Sequence, residues 1–390
     1  MFNRRSFVSV SSFLAGIGLL PASKSAQAKS GKLPVDIAPR GAKGRTERHP
    51  TLDLESRQDF MAGVTLFANG ELGIASRNRV LDILAAKKLN PQKEMPIDEA
   101  RALFDGDPVI GMRDRMWHSA HNYEHDILDE YFHANADKYL AELEAADKSG
   151  PGTLELNPDM KVPDYTRHEI HQQPGGYVGN PFAGHIYHYA TNMFYRGGND
   201  QDQRHISYAA ACPTPADGSV KRILDIGTGI GQFAVALKER FPDADVHGID
   251  VGAPMLRYGH MRAIDLDVEV HFAQRLAEET GFPDNHFDMV VSYIMFHEVP
   301  AEATRKIYAE ANRILRPGGV FYPMDFNHAS PRNALRQYGE WKDHRWNNER
   351  WRLEYASLDI VEGMRSAGFS VDDQSDKKGT FARVIGTKAA

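Results

Sequence analysis

The chain contains the segment Val220-Lys-Arg-Ile-Leu-Asp-Ile-Gly-Thr-Gly-Ile-Gly-Gln-Phe-Ala-Val-Ala-Leu237, in which three glycines follow a short apolar run. The run Ile223-Leu-Asp-Ile226 is typical of a buried strand, and an amphipathic helix begins after Gly231. A glycine turn between a strand and a helix lets the backbone approach a ligand closely, because a side chain there would block it. We therefore expect a ligand-binding loop at Gly227, Gly229 and Gly231.

The spacing of these glycines indicates which ligand the loop binds. A dinucleotide-binding fingerprint would place its third glycine at position 232, which is Gln232 here. A second predicted strand, Ala244-Asp-Val-His-Gly-Ile-Asp250, ends in an acid that can accept hydrogen bonds from both hydroxyls of a ribose. The glycine spacing therefore departs from a dinucleotide-binding fingerprint, whereas the acid would suit either class of nucleotide ligand.

Three motifs in order resemble those of class I S-adenosylmethionine (SAM) methyltransferases. The first is Asp225-x-Gly-x-Gly-x-Gly, the second is Gly281-Phe-Pro-Asp-Asn-His-Phe-Asp-Met-Val-Val-Ser-Tyr-Ile-Met-Phe-His-Glu-Val-Pro300, and the third is Leu315-Arg-Pro-Gly-Gly319. The resemblance implies SAM as cofactor and residues 216–390 as the SAM-binding domain. It also implies an α/β fold with a doubly wound, mostly parallel, seven-stranded Rossmann-like sheet and an antiparallel last strand.

The hydrophobic pattern of residues 216–390 alternates between strands and helices, as that fold requires. We predict strands near 222–226, 245–250, 267–272, 288–293 and 319–325, and helices near 231–240, 253–263, 300–315 and 356–367. The end of the chain, Phe369-Ser-Val371 with Phe381-Ala-Arg-Val-Ile-Gly386, is predicted to form a hairpin.

The resemblance also implies roles for individual residues. Gly227, Gly229 and Gly231 would let the backbone approach SAM, Asp225 would orient the loop and the methionine amino group, and Asp250 would bind the ribose. Met255 would pack on the adenine, and Gln274 would take the place of an acid near the adenine amine. After the fourth strand, Tyr293 would orient the methyl acceptor and His297 would act as general base. A packing histidine is the alternative for His297.

Residues 50–215 are predicted to form a mainly helical cap or lid domain. Helical spacing covers Asp53 to Phe67, Ser76 to Lys88, Ile97 to Phe104 and Asp114 to Ala145. The aromatic stretch 165–198 is either a lid over the SAM pocket or a buried packing loop. Its lid candidates are Tyr177, His185, Tyr187 and His188.

Two further aromatic or histidine-rich features lie on either side of this stretch. His118, His121 and His125 share a helix face, but no carboxylate or cysteine cluster completes a ligand set, so we predict no metal site. An aromatic insertion at 326–352, which includes Trp341, is expected to help line the substrate pocket. A surface for a protein partner is the alternative for this insertion.

The N-terminus is typical of an exported protein. Residues 1–28 are predicted to be a twin-arginine signal peptide, with Asn3-Arg-Arg-Ser-Phe-Val8 before an apolar stretch and a small-residue cleavage site at Ala26-Gln-Ala28. Residues 29–49 are predicted to be a flexible basic linker. The export machinery would then be a partner and the location periplasmic, or cytoplasmic if the signal is not used.

Composition limits the functions that remain. The net charge of −7 argues against nucleic acid, and no apolar run is long enough for a stable membrane span. A single cysteine, Cys212, excludes an internal disulfide. We therefore predict a SAM-dependent methyltransferase that modifies an O, N or S nucleophile of a small molecule. The alternatives are a protein that binds SAM or S-adenosylhomocysteine without transfer, and a nucleotide-dependent oxidoreductase.

Overall fold

The structure is a computed structural model that describes residues 41–328 and 331–389. Its first half is mainly helical, as predicted. The elements in this half are α1 (Leu52–Asn69), α2 (Glu71–Ala86), α3 (Ile97–Phe104), α4 (Pro108–Ala134), α5 (Ala136–Ala146), β1 (Thr153–Glu155), α6 (Gly176–Gly179), α7 (Ala183–Tyr195) and α8 (Gln203–Ala211). The long predicted run over 114–145 breaks at Asn135, whose φ of −118° and ψ of 27° are not helical.

The second half alternates between strands and helices, as the hydrophobic pattern predicts. Its elements are β2 (Arg222–Ile226), α9 (Gln232–Arg240), β3 (Asp245–Asp250), α10 (Ala253–Asp265), β4 (His271–Gln274), β5 (Phe287–Tyr293), α11 (Ala301–Ile314), β6 (Leu315–Met324), α12 (Ala334–Trp346), α13 (Arg352–Tyr355), α14 (Ile360–Ser366), β7 (Phe369–Asp373) and β8 (Val384–Lys388). The insertion at 326–352 therefore contains the helix α12.

These strands form one sheet in the order β1-β4-β3-β2-β5-β6-β8-β7. Neighbouring strands from β1 to β6 are parallel, whereas β8 runs antiparallel to both β6 and β7. The predicted α/β fold and its C-terminal hairpin are confirmed. The sheet has one strand more than the seven predicted, because the three-residue β1 from the helical region pairs with β4.

The sheet is covered by helices on both faces. Ile223 and Leu224 are adjacent on β2, yet Ile223 packs in a cluster with α9 and α10, whereas Leu224 packs in a cluster with α11. Alternate residues of a strand point to opposite faces, so both faces of β2 are buried. The loops that follow the parallel strands consequently meet at one edge of the sheet, where open α/β sheets bind their ligands.

The helical region packs against the loop edge of the sheet through α10. Arg257 on α10 forms three hydrogen bonds to Asp147, and Leu143 and Ala183 share an apolar cluster with Met255. This contact positions residues of the helical region beside the glycine loop. The division of the chain at residue 215 remains a prediction.

The described part of the predicted linker, residues 41–49, makes specific contacts with the rest of the chain. Arg45 forms an ion pair with the buried Asp202 and a 2.6 Å ion pair with Glu239, and the Thr46 amide donates to the Asp200 carbonyl. These contacts were not expected, because a sequence pattern does not show that a basic residue has a buried acid to pair with. The linker and its bounds remain a prediction.

The other N-terminal predictions concern residues that the structure does not describe. The signal peptide at 1–28 and the remaining linker residues lie outside the described ranges. Among the residues that are described, no helix combines the length and the apolar character needed to span a bilayer.

Candidate active site

A cleft opens at the carboxyl ends of β2, β3 and β5. Its walls come mainly from five segments: 165–178 of the helical region, 225–233 around the glycine loop, 249–255 after β3, 275–278 after β4, and 293–299 after β5. Tyr187 of α7 and His205 of α8 complete the side that faces the helical region. The cleft therefore lies where the sequence predicts the cofactor site.

At two of the three motif positions a side chain would clash with a neighbouring residue, and that neighbour differs between the two positions. Gly227 has a φ of +67°, and a Cβ added there would lie 2.6 Å from the Met295 sulfur on the cleft wall. Gly231 has a φ of +72°, and its added Cβ would lie 2.5 Å from the ring of Phe272 on β4. Gly227 and Gly229 line the cleft, whereas Gly231 allows close packing of the loop on the sheet. The prediction that Gly231 approaches the ligand is corrected accordingly.

Asp250 is fixed on the cleft wall by the two neighbouring loops. Its Oδ2 atom accepts a hydrogen bond from the Gly229 amide at 3.0 Å, and its Oδ1 atom accepts one from the Gly252 amide at 2.8 Å. Each carboxylate oxygen can accept more than one hydrogen bond. The side chain is thus held in place and keeps acceptor capacity for a pair of ligand hydroxyls, as predicted for a ribose.

Asp225 presents a buried carboxylate oxygen that has no partner. Its Oδ2 atom accepts from the Thr228 hydroxyl at 2.7 Å, whereas its Oδ1 atom is buried without a hydrogen bond. Burial, reinforced by the nearby charge of Asp250, raises the pKa of this carboxyl to about 7. A buried acceptor of this kind needs a donor or a cation to offset the cost of leaving water. The ammonium group of an amino-acid ligand would supply both.

The two residues predicted to contact adenine have different placements. Met255 lines the cleft beside Gly229. Gln274 is not among the cleft residues, since its amide nitrogen donates to the Val251 carbonyl and its amide oxygen accepts from the Asn157 amide. The adenine role of Gln274 is therefore not supported. Its side chain instead joins the loop after β3 to the segment after β1.

Aromatic side chains form the part of the cleft that faces the helical region. Tyr177, Tyr187 and Tyr293 line it, and the Tyr293 hydroxyl lies 3.4 Å from that of Tyr195. Burial raises the pKa of Tyr293, so its hydroxyl stays protonated at neutral pH. The orienting role predicted for Tyr293 is compatible with this position, and Tyr177 and Tyr187 are the lid candidates that reach the cleft.

The other lid candidates do not reach it. His185 lies inside α7 against Tyr258 and Phe132, and His188 hydrogen-bonds to the Tyr258 hydroxyl at 2.8 Å. Trp341 stacks on Tyr338 and lies under Arg101, next to α3. None of these three residues lines the cleft, as the lid prediction for the two histidines and the pocket prediction for Trp341 require. Within the stretch 165–198, α7 is largely buried because it packs between α4 and α10. A composition rich in aromatics does not distinguish such a packed helix from a pocket wall.

His297 is buried behind the cleft wall. It is 1% exposed, and its Nδ1 atom lies 2.9 Å from Asp325 Oδ1. Burial lowers its pKa, but the charges of Asp325, Glu349 and Glu298 outweigh this effect and raise the pKa to about 9. When no cation is bound beside it, His297 is therefore protonated at neutral pH and cannot accept a proton, so the general-base prediction is not supported.

Glu298, which follows His297 in the sequence, lines the cleft, whereas His297 does not. The sequence analysis did not identify Glu298 as a site residue. Glu298 and His297 lie together with His171 and Glu349, which come from distant parts of the chain. Only the pair His297-Glu298 is visible as a local signal in the sequence.

The three histidines of α4 lie among packed side chains: His118 packs against Trp346 and His121 against Trp117.

Comparison with known proteins agrees with this site. Residues 223–319 match the family model described as a methyltransferase domain. The demethylmenaquinone methyltransferase of Thermus thermophilus is 39% identical over 27% of this chain and 47% of its own length. The ubiquinone biosynthesis O-methyltransferase of Alkalilimnicola ehrlichii is 34% identical over 33% of this chain and 51% of its own length. The chain thus spans about half the length of these curated relatives.

Among solved structures, the Haemonchus contortus phosphoethanolamine N-methyltransferase 2, in complex with S-adenosyl-L-methionine, is similar over 48% of this chain and 53% of its own. The TM-score is 0.37 and the identity 18%. The family match places a methyltransferase domain at residues 223–319, as the motifs predict, and SAM is the cofactor that goes with it.

Proposed function

We propose that this protein is a SAM-dependent methyltransferase that acts on an O, N or S nucleophile of a small molecule. The observation that carries this proposal is the unpartnered Asp225 Oδ1 atom in the same cleft as Asp250. SAM has an ammonium group at one end and a ribose diol near the other, so one acid could bind each. Transfer from a sulfonium then depends mainly on the alignment of donor and acceptor.

The buried acid Asp225 disfavours a nucleotide-dependent oxidoreductase. Nicotinamide dinucleotides carry a diphosphate, which such proteins bind at the glycine loop and the start of the following helix. Asp225 lines the cleft beside that loop, and its ionised carboxyl would repel a diphosphate. Asp250 does not discriminate between the two ligands, because it could bind a ribose of either one.

The acceptor side of the proposal rests on the cleft walls. Tyr177, Tyr187, Tyr293 and Phe233 form an aromatic surface that suits a flat or apolar acceptor. The names of the relatives, which refer to demethylmenaquinone and ubiquinone, agree with a small acceptor of this kind. Quinone precursors and simple phenols are therefore the first acceptors to assay.

The binding of SAM, S-adenosylhomocysteine and NAD is tested by titration calorimetry on the wild type and on Asp250→Ala. We expect the wild type to bind the first two, and the variant to bind SAM about 10–100-fold more weakly, since hydrogen bonds to a charged group contribute about 1.5–3 kcal/mol each. Asp245→Ala, at the exposed start of the same strand, is the control and should bind normally.

Two outcomes would contradict the proposal. Binding of NAD but not of SAM would favour the oxidoreductase. Binding of SAM without methyl transfer to any phenol, thiol or amine acceptor would favour the ligand-binding protein.

The affinity for SAM should also depend on pH through Asp225. Its carboxyl is protonated below about pH 7 in the free protein, whereas a bound ammonium favours the ionised form. SAM should therefore bind more tightly as the pH rises from 5.5 to 7, by up to about 10-fold per unit, and the affinity should level off above pH 7. Asp225→Asn should bind SAM weakly, and its affinity should change less with pH than that of the wild type. Some pH dependence should remain, because Asp250 and Glu298 still titrate in the cleft. An equal slope in both proteins would contradict this role.

A further inference from the structure

Four side chains that converge behind the cleft wall form a cluster of metal-ligating atoms. His171, His297 and Glu298 each offer one ligand atom, a ring nitrogen or a carboxylate oxygen, and these atoms all lie within 4.8 Å of one another. Glu349 completes the group: its Oε1 atom is 3.2 Å from His171 Nε2, and its Oε2 atom is 3.9 Å from His297 Nε2. Glu298 Oε1 lies 3.9 Å from His171 Nε2 and 3.8 Å from His297 Nε2.

The second nitrogen of each histidine has an oxygen partner on the far side. His297 Nδ1 lies 2.9 Å from Asp325 Oδ1, and His171 Nδ1 lies 2.8 Å from the Tyr177 hydroxyl. Metal-binding histidines are typically held in this way, with one ring nitrogen bonded to an oxygen so that the other points at the metal. Both rings therefore direct Nε2 toward the two glutamates.

An unpartnered buried oxygen gives independent support for a ligand at this place. Glu349 is 5% exposed, and its Oε2 atom has no hydrogen-bond partner. The nearest cation outside the cluster, Arg352 Nε, is 3.9 Å away, too far for a hydrogen bond. Leaving a buried carboxylate oxygen without a partner is costly, and a bound cation would remove that cost.

We propose that His171, His297, Glu298 and Glu349 bind one divalent transition-metal ion. Two imidazole nitrogens and two carboxylate oxygens suit Zn²⁺, Fe²⁺ or Mn²⁺ rather than Mg²⁺, which prefers oxygen alone. Ligand atoms about 2.0–2.2 Å from a tetrahedral ion lie about 3.4 Å from one another, so the glutamate-to-histidine separations of 3.8–3.9 Å need to close by about half an ångström.

The position of the cluster connects this ion to the cleft. Glu298 lines the cleft and belongs to the cluster. Tyr177 also lines the cleft, and its hydroxyl hydrogen-bonds to His171 of the cluster. The proposal is independent of methyl transfer, because it concerns metal binding by the chain itself. The alternative is a network of ion pairs without metal, in which His171 Nε2 donates to Glu349 Oε1.

The experiment is a titration of the full, untagged chain with Zn²⁺ after treatment with a chelator, followed by calorimetry. Substitution of Co²⁺ then gives a visible absorption spectrum that reports the ligand set. We expect one equivalent to bind, and Glu349→Gln and His171→Ala each to weaken binding by more than about 100-fold. Asp325→Asn, which leaves all four ligands in place and removes the charge beside His297 Nδ1, should weaken binding by about 10–100-fold.

His133→Ala is the matched control, because His133 is a half-exposed histidine beside a carboxylate, Asp129, outside the cluster. This variant should bind like the wild type. Glu349→Gln has nearly the same shape and keeps an oxygen for the Asn347 amide, so its far-ultraviolet spectrum should show a folded protein. Absence of binding to the wild type, or equal binding by the wild type and both ligand variants, would overturn the proposal whether or not the protein transfers methyl groups.

Discussion

Gly231→Ala is expected to destabilise the protein by about 2–5 kcal/mol and to prevent SAM binding at physiological temperature. The backbone of Gly231 has a φ of +72°, which costs an L residue about 1–2 kcal/mol. The added methyl group would lie 2.5 Å from the ring of Phe272, which is 1% exposed and fixed on β4. Overpacking against such a ring costs typically about 1–3 kcal/mol more.

The chain offers a closely matched control for this effect. Gly218 has the same φ of +72°, but a Cβ added there meets nothing within 4 Å. Gly218→Ala should therefore lose only the backbone contribution, about 1–2 kcal/mol. Urea unfolding followed by circular dichroism measures both variants. Equal losses in the two would show that contact with Phe272 does not contribute.

The cofactor loop could be predicted from the sequence, whereas the separate roles of its glycines could not. The positions of Asp225, Gly227 and Asp250 follow from short-range spacing, because a strand, a turn and a helix start are encoded in contiguous residues. The parallel strand order follows from the alternation of strands and helices. The division of roles among the glycines could not be predicted, because it depends on Phe272, which reaches Gly231 only through the pairing of β3 with β4.

The rest of the site depends on contacts between distant segments. His171 and Glu349 face each other across the cluster because the helical region and the insertion both fold over the same end of the sheet. No local motif marks either residue. His185 shows the converse error: a histidine in an aromatic stretch resembles a pocket residue, yet α7 is covered on two sides and burial lowers its pKa to about 3. Such a histidine is neutral and serves packing.

Asp202→Asn is expected to cost about 3–5 kcal/mol, because it leaves a buried guanidinium without its counter-charge. Asp202 is 0% exposed and Arg262 is 1% exposed, and the two form an ion pair that Arg45 also joins. Gln232 donates to the other oxygen of Asp202 at 2.6 Å. Asparagine tolerates the left-handed backbone of this position, where φ is +55°, so the charge is the main change.

Asp217→Asn is the control for this prediction, because the Asp217 side chain is exposed and pairs with Arg316 at the surface. Exposed pairs contribute about 0–1 kcal/mol, so its unfolding free energy should change little. The double variant Asp202→Asn with Arg262→Met should recover much of the loss, since it also removes the unpaired buried charge. No recovery would indicate that Arg262 is not the group left uncompensated.

The loss of Asp202 should also release the segment around Arg45. That segment is held by the pairs from Arg45 to Asp202 and Glu239 and by the Thr46 amide. Trypsin should therefore cleave after Arg45 faster in Asp202→Asn than in the wild type or in Asp217→Asn. Because α8 begins directly after Asp202 and α9 begins at Gln232, the same carboxylate joins the N-terminal segment to the helix that follows the glycine loop. Equal cleavage rates in all three proteins would show that the segment is held by other contacts.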